Sequence, residues 1–172
     1  FEDGQIYVNL HGFEPSRPPV TPTEALPRLL ETLGVLPQHM PVSPEAQVGL
    51  YRSMLAGRRM LVMLDNARDA EQVRAFLPGS PGCFTLVTSR NRLSGLIALE
   101  GARSLVLDVL PAAECRRLLA RRIGAERVMS EPLAVDEIVS RCARLPLALV
   151  IVAARAAIEP GQADESLLIE RV

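Results

Sequence analysis

Apolar and polar positions alternate through residues 4–10, GQIYVNL, setting Ile6, Val8 and Leu10 on one side of an extended segment. Period-two alternation of this kind predicts a strand. A proline-rich connector, FEPSRPPVTP, follows, and then the period changes. Leu26, Leu29, Leu30 and Leu33 recur at helical spacing behind Thr21-Pro22-Thr23-Glu24, a capping box with proline at the first helical position, and Gly34 ends the helix. Pro27 falls inside that helix and predicts a kink. A second helix opens at Ser43-Pro44-Glu45, turns Val48, Tyr51 and Leu55 to one face, and stops at Gly57.

The next apolar run, Arg59 to Asp65, reads as a buried strand that ends abruptly on Asp65 and Asn66. Asp69, with Gln72 three residues on, caps a short helix carrying Val73, Phe76 and Leu77. The turn PGSPG (78–82) leads into CFTLVTSR (83–90), a second apolar strand with a polar end, and SLVLDVL (104–110) is a third such run. Strands and helices that alternate in this way predict an α/β unit around a mainly parallel sheet covered on both faces. After Pro111 the pattern is helical throughout, over 112–123, about 132–142 and 146–158. The expected organisation is an α/β unit over 1–110, a small helical unit over 111–160, and a tail or linker over 161–172. Neither internal repeats nor low-complexity tracts occur.

Composition narrows the classes. A chain of 172 residues that is 48% hydrophobic suits one α/β domain or slightly more. A net charge of -1 exerts no global pull on nucleic acid. Aromatic residues make up 3% of the chain and tryptophan is absent, so Leu, Val and Ala must build the core. Cys83, Cys115 and Cys142 lack metal-ligand spacing and are odd in number, which points to buried thiols in a reducing, cytoplasmic setting. No apolar run reaches the ~18 residues of a membrane span. All 19 basic residues are arginine. GC-rich coding accounts for that bias, but it removes every reaction that needs a lysine.

Chemistry concentrates at the strand ends. In an open parallel sheet, ligands bind at the carboxyl edge. Here two consecutive core strands end in Asp65-Asn66 and in Thr88-Ser89-Arg90. A carboxylate beside hydroxyls and a guanidinium matches a magnesium-bound polyphosphate: the carboxylate holds the metal or its water, and arginine neutralises phosphate. A helix cap or a solvated strand end is the plainer reading of Asp65. A phospho-accepting receiver domain also carries such an Asp with a Thr or Ser on the next strand, but it needs a lysine, and the chain has none. A hydrolase nucleophile would need a base. The two histidines, His11 and His39, lie in early proline-flanked segments without a Cys or Asp cluster, which suits surface or structural roles and not a zinc site.

Together these segments resemble a known family. MLVMLDNARDAEQVRAFLPGSPGCFTLVTSR is similar to the Walker B to sensor 1 segment of an NB-ARC domain, the nucleotide switch of STAND-class P-loop NTPases. CARLPLAL (142–149) resembles the GLPL motif, with Arg144 where glycine is usual. GQIYVNLHGF and LVLDVLPAAECRRLLARRIG resemble the second strand and the sheet-to-helix junction. The resemblance spans nearly all of residues 1–160 and points in particular to AfsR-like, SARP-type regulators of actinobacteria.

The resemblance implies an incomplete P-loop NTPase-type sheet, lacking its first strand and P-loop, followed by an ARC1-like helical unit. It matches Asp65 to the magnesium-holding Walker B aspartate, Arg90 to the arginine that reads the γ-phosphate, and Pro146 to the proline that packs on adenine. An ordinary first-turn proline remains the alternative for Pro146. Asn66 stands where hydrolytic relatives carry a second acid. An amide cannot take a proton from attacking water, which implies a slow switch and not a motor. The phosphate-cradling G-x-x-x-x-G-K-[ST] is absent. The expectation is therefore a fragment that begins just after that loop: ATP or ADP and Mg2+ would bind the intact parent and not this chain alone.

Three functions compete. The first is a segment of a nucleotide-controlled transcriptional regulator, partnered by neighbouring DNA-binding and sensor domains of the same polypeptide. The second is an interaction module with an NTPase-like fold that binds no nucleotide, self-association being one outcome. The third, direct DNA contact through Arg116, Arg117, Arg121 and Arg122, is disfavoured, since Cys115, Leu118, Leu119 and Ile123 give that helix a buried stripe and leave the arginines as its solvated face. No membrane partner is expected.

Overall fold

The computed structural model describes residues 1–158; the tail expected over 161–172 lies outside them. The chain divides into two compact units, the first ending at Ser104 and the second beginning at Leu105.

In the first unit, strands β1 (Gln5–Asn9), β2 (Leu61–Ala67) and β3 (Phe84–Ser89) form a parallel sheet in the order β1-β2-β3. Helices α1 (Pro22–Thr32) and α2 (Pro44–Leu55) lie between the first two strands in sequence, with a 3-10 turn at Pro37–His39. α3 (Ala70–Arg74) joins β2 to β3, and α4 (Ser94–Glu100) follows β3. The start signals work as their chemistry dictates. Glu24 Oε2 accepts from the backbone N–H of Thr21 at 2.9 Å, Ser43 Oγ accepts from Ala46 N–H at 3.2 Å, and Asp69 Oδ1 accepts from Gln72 N–H at 2.9 Å. Pro27 is accommodated inside α1.

Alternation along the strands sends Ile6, Val62 and Leu64 to one face, where they pack with Leu26, Leu30, Tyr51, Leu55 and Phe76. Burying each such large side chain contributes ~1.5–3 kcal/mol, so this cluster dominates the stability of the unit. Tyr51 satisfies its buried hydroxyl by donating to Phe76 O at 3.1 Å. Burial pushes that phenol well above its ordinary value.

Two expectations are corrected. Within the first unit, no described residue covers the opposite face of the sheet: Tyr7 is 59% exposed and Phe84 and Leu86 are exposed beside it, while Leu61 and Met63 are half-buried. The continuous apolar runs of β2 and β3 suggested burial on both sides, and the sequence pattern cannot say which cover is present. The second correction concerns SLVLDVL. Residues 101–111 form no regular structure, and Leu107 is 87% exposed. A strand exists only where a neighbour offers a ladder, and among the described residues this run has none. Its last residue is instead tied into the second unit, where Leu110 packs on the core and donates its N–H to Arg144 O at 3.2 Å.

The second unit is helical: α5 (Ala112–Ile123), α6 (Ala125–Ser130), α7 (Pro132–Arg141) and α8 (Pro146–Ile158). Its core gathers Cys115, Leu119, Val135, Val139, Cys142, Leu149, Val152 and Ala153. Ala143 and Arg144, between α7 and α8, both take left-handed backbone, with φ of 47° and 58°. Glycine enters that region without strain, whereas alanine and arginine there carry a conformational cost. On α5, Arg116 pairs with Asp136 and Arg117 with Glu114, as a solvated face would. Among the described residues no helix is long and apolar enough to cross a membrane.

Candidate functional site

β2 runs regularly against β3 from Leu61 opposite Phe84 to Leu64 opposite Val87; then the register shifts, and Ala67 meets Ser89. The slip is a bulge centred on Asp65 and Asn66. Asn66 absorbs it with φ 59°, a conformation asparagine tolerates better than most residues. The bulge turns the backbone of Asn66 to two new partners. Its N–H donates to Thr88 Oγ1 at 2.9 Å, and its carbonyl accepts from Gly12 N–H at 2.7 Å.

Gly12 is required there by space. A Cβ at this position would lie 2.4 Å from Arg68 N and 2.5 Å from Asn66 O, both fixed backbone atoms. The loop after β1 is thereby pressed onto the strand tip, and Leu10 N–H donates to Asp65 O at 2.8 Å.

Asp65 shares its face of the sheet with Tyr7 on β1 and Thr88 on β3, since residues two apart along a strand point the same way. The Thr88 hydroxyl donates to Asp65 Oδ1, and the Tyr7 hydroxyl donates to Oδ2 at 2.9 Å. These hydroxyls, Thr88 first and Tyr7 second, hold the Asp65 carboxyl below its ordinary range, aided by the Asn66 N–H and opposed by partial burial. The same bond to Asp65 raises the Tyr7 phenol. A carboxylate kept ionised by neutral donors is a fixed negative charge at the carboxyl edge of the sheet.

Of the other residues singled out by sequence, Arg90 follows β3 directly, at the same edge as Asp65 on the neighbouring strand. It is exposed, and its guanidinium lies 5.4 Å from the centre of the Phe13 ring. Ser89 is not brought to Asp65. Its hydroxyl donates to Ala67 O at 2.6 Å and accepts from Asn91 N–H at 2.9 Å, which pins the end of β3 to β2. Asn66 contributes through its backbone. Pro146 belongs to the second unit, as the exposed first residue of α8. His11 is a local structural group: its Nδ1 lies 2.7 Å from Glu14 Oε1, and that contact is the main reason the Glu14 carboxyl is lowered.

Tyr7 was not legible as a site residue. It reads as one of many strand residues, and only the parallel register of β1 with β2 brings it to a carboxylate 58 positions away. Phe13 was likewise hidden in the proline-rich connector.

Chemically, the arrangement offers one ionised carboxylate, two hydroxyls that donate to it and one arginine at the rim. Among the described residues no three His, Cys, Asp or Glu side chains gather as a cation cage. That donor set fits magnesium carried on a polyphosphate, because Mg2+ keeps several waters and takes one or two carboxylates besides phosphate oxygens.

The chain is 46% identical over 157 residues to the regulatory protein AfsR of Streptomyces coelicolor, a match covering 91% of this chain and 15% of that protein. It is 44% identical over 157 residues to the regulatory protein AfsR of Streptomyces griseus, covering 91% of this chain and 16% of that protein. The chain thus spans about one sixth of the length of these relatives. Over nine-tenths of its own length it is homologous to one segment of AfsR regulatory proteins. No protein-family model matches it.

Proposed function

We propose that this AfsR-like segment supplies the Walker B and sensor residues of an ATP/ADP-binding switch of the NB-ARC, STAND type in a transcriptional regulator. The observation that carries the reading is the pairing of Asp65 with Thr88 on adjacent parallel strands, at the edge where Arg90 also emerges.

In this reading Asp65 holds the magnesium of bound nucleotide, directly or through water, and the ion supplies charge neutralisation between the outer phosphates. Thr88 fixes the rotamer of the carboxylate, its own direction being set by the Asn66 N–H it accepts. Arg90, held over Phe13, reads the terminal phosphate. Asn66 offers no carboxylate to activate water, so hydrolysis is slow and the bound nucleotide acts as a timer. The nucleotide state is passed to neighbouring DNA-binding and sensor domains of the same polypeptide. Because the chain has no lysine and no glycine-rich phosphate loop, a complete site takes its phosphate cradle from another stretch of polypeptide.

The test is magnesium-dependent nucleotide binding in a regulator that carries this segment together with a phosphate loop. Asp65→Ala should weaken ATP binding in magnesium more than ADP binding. Equal losses for both nucleotides would remove the metal role.

The bare sheet face favours a second reading, an interaction module that binds no nucleotide. Exposed Tyr7, Phe84 and Leu86 lie together, the Phe1 and Phe84 rings standing 6.3 Å apart. Failure of such a regulator to bind nucleotide, with intact partner binding, would select it.

A further inference from the structure

We propose that Tyr7 is a latch on Asp65: its hydroxyl occupies one oxygen of the carboxylate while no cation is bound, and leaves it when a divalent cation enters. The inference rests on the reading of Asp65 as a metal-binding residue and goes beyond it by assigning a role to a group on a different strand.

Both carboxylate oxygens of Asp65 carry a donated proton, from Thr88 on Oδ1 and from Tyr7 on Oδ2. Each donated proton uses a lone pair and draws charge from the oxygen a cation would need. The two hydroxyls differ in how firmly they are held. Thr88 Oγ1 also accepts the Asn66 N–H at 2.9 Å, so it is locked to the bulged backbone. Tyr7 Oη makes one hydrogen bond among the described residues, and its side chain is largely exposed. Rotating that phenol into water exchanges one hydrogen bond for another and disturbs no packed core. Tyr7 is therefore the donor that yields, and Thr88 is the one that stays to orient the carboxylate around the ion.

The latch sets the cation affinity of Asp65 without touching substrate. Replacing Tyr7 by phenylalanine keeps the ring and removes the competing proton, so divalent affinity should rise about three- to tenfold, the equivalent of one modest hydrogen bond.

Without the nucleotide that the intact parent would supply, Asp65 is a weak site for a bare cation, so Mn2+ serves as the probe. It is titrated into the full chain at high concentration, and paramagnetic broadening of the Asp65, Asn66 and Thr88 amide signals compares the carboxylate's affinity between variants. Tyr7→Phe and Tyr7→Ala should both reach half-broadening at lower Mn2+ than the parent, with the remaining amide spectrum unchanged. A second readout uses Mg2+. The chain has two tyrosines and no tryptophan, so the loss of carboxylate contact at Tyr7 should appear as a rise in tyrosine emission on adding Mg2+, absent in Tyr7→Phe. Broadening centred on Asp65 with equal or weaker affinity in both Tyr7 variants would overturn the latch and leave the metal reading standing. Broadening that avoids Asp65 and is unchanged by Asp65→Asn would overturn both.

Discussion

Thr88 and Asp65 are joined across β2 and β3 by a hydrogen bond whose direction is fixed by a third group. The Asn66 N–H donates to Thr88 Oγ1, so that hydroxyl must spend its own proton on the carboxylate. Removing the hydroxyl breaks two contacts at once. Thr88→Val should cost about 0.5–1.5 kcal/mol, since it removes both hydrogen bonds at an exposed rim where water replaces part of each, and with them the main donor to Asp65. Urea unfolding compares the two proteins. Thr88→Ser, which keeps the hydroxyl, should remain within about 0.5 kcal/mol of the parent.

The same pair predicts an acid response. Asp65 is depressed in the folded chain by Thr88 and Tyr7, so it binds its proton less readily there than when unfolded. Its contribution to stability is fully present above the unfolded carboxyl pKa near 3.9 and is lost as pH falls through the lower folded value. Thr88→Val should therefore flatten the stability loss below about pH 4 that Asp65 contributes. The 13C chemical shift of the Asp65 carboxyl, followed against pH, should titrate higher in Thr88→Val than in the parent. An unchanged midpoint would mean that Tyr7 and the Asn66 N–H hold the carboxylate without Thr88.

Much of the scaffold for this pair is legible in the sequence. The three strands and α1, α2, α5, α7 and α8 follow from alternation, capping residues and helical spacing, because those signals are local. α4 escapes because its start, Leu93, sits in left-handed backbone without a capping side chain. The placing of Asp65 at a strand tip is readable, but its partner Tyr7 is not, because register is a property of two strands. Gln72 shows the same limit. Sequence assigns it to a capping box, yet its side chain is buried, donating to Leu10 O and Val20 O at 2.8 Å each while its oxygen accepts from Arg68 N–H at 2.9 Å. It staples the loop after β1 to the start of α3, a role set by tertiary contacts.

Gln72→Leu should accordingly destabilise the first unit by about 2–4 kcal/mol, despite its apolar surroundings. Val20 O and the Arg68 N–H lose their partner, while Leu10 O keeps the Val20 N–H, and polar groups left unpaired in the interior cost about 1–3 kcal/mol each, partly relieved by water. Differential scanning calorimetry would show a lower melting temperature. Little change would mean that Val20 O and the Arg68 N–H find other partners.

Gly12→Ala should act on the strand tip through backbone displacement. Its methyl group would overlap Arg68 N and Asn66 O, so the loop must move away from β2 at a cost of about 1–3 kcal/mol. The amide signals of Asn66 and Thr88 should shift more than those of α1, which reports the bulge and not a general loosening. Shifts spread evenly over the unit would count against a local clash.

In the second unit, Arg144→Gly should stabilise. A non-glycine residue in left-handed backbone carries about 1–2 kcal/mol of strain. Glycine relieves that and gives back part of it as unfolded-state entropy, about 0.5–1 kcal/mol. The net gain expected is up to about 1 kcal/mol. The Arg144 carbonyl keeps its bond from Leu110 N–H, because the backbone conformation is retained. The gain is read as a higher urea midpoint with an unchanged slope. A loss on substitution would show that the arginine side chain contributes more than its backbone strain costs.

The last expectation concerns the open edge of the sheet. β2 is flanked on both sides, whereas among the described residues β3 pairs only with β2 and the apolar run 104–110 enters no strand pairing. Unpaired strand edges recruit other chains, and an exposed Leu-Val-Leu sequence of high strand propensity adds to that tendency. Amide hydrogen exchange on the purified chain should find the β2 amides most protected and those of residues 104–108 exchanging at near solvent rates. Leu105→Ser with Leu107→Ser should change stability by less than about 0.5 kcal/mol, since both side chains are exposed, while raising the concentration at which the chain aggregates. Strong protection across 104–108 in a monomer would mean that this run pairs in solution, and the serine variants would then lose stability instead of gaining solubility.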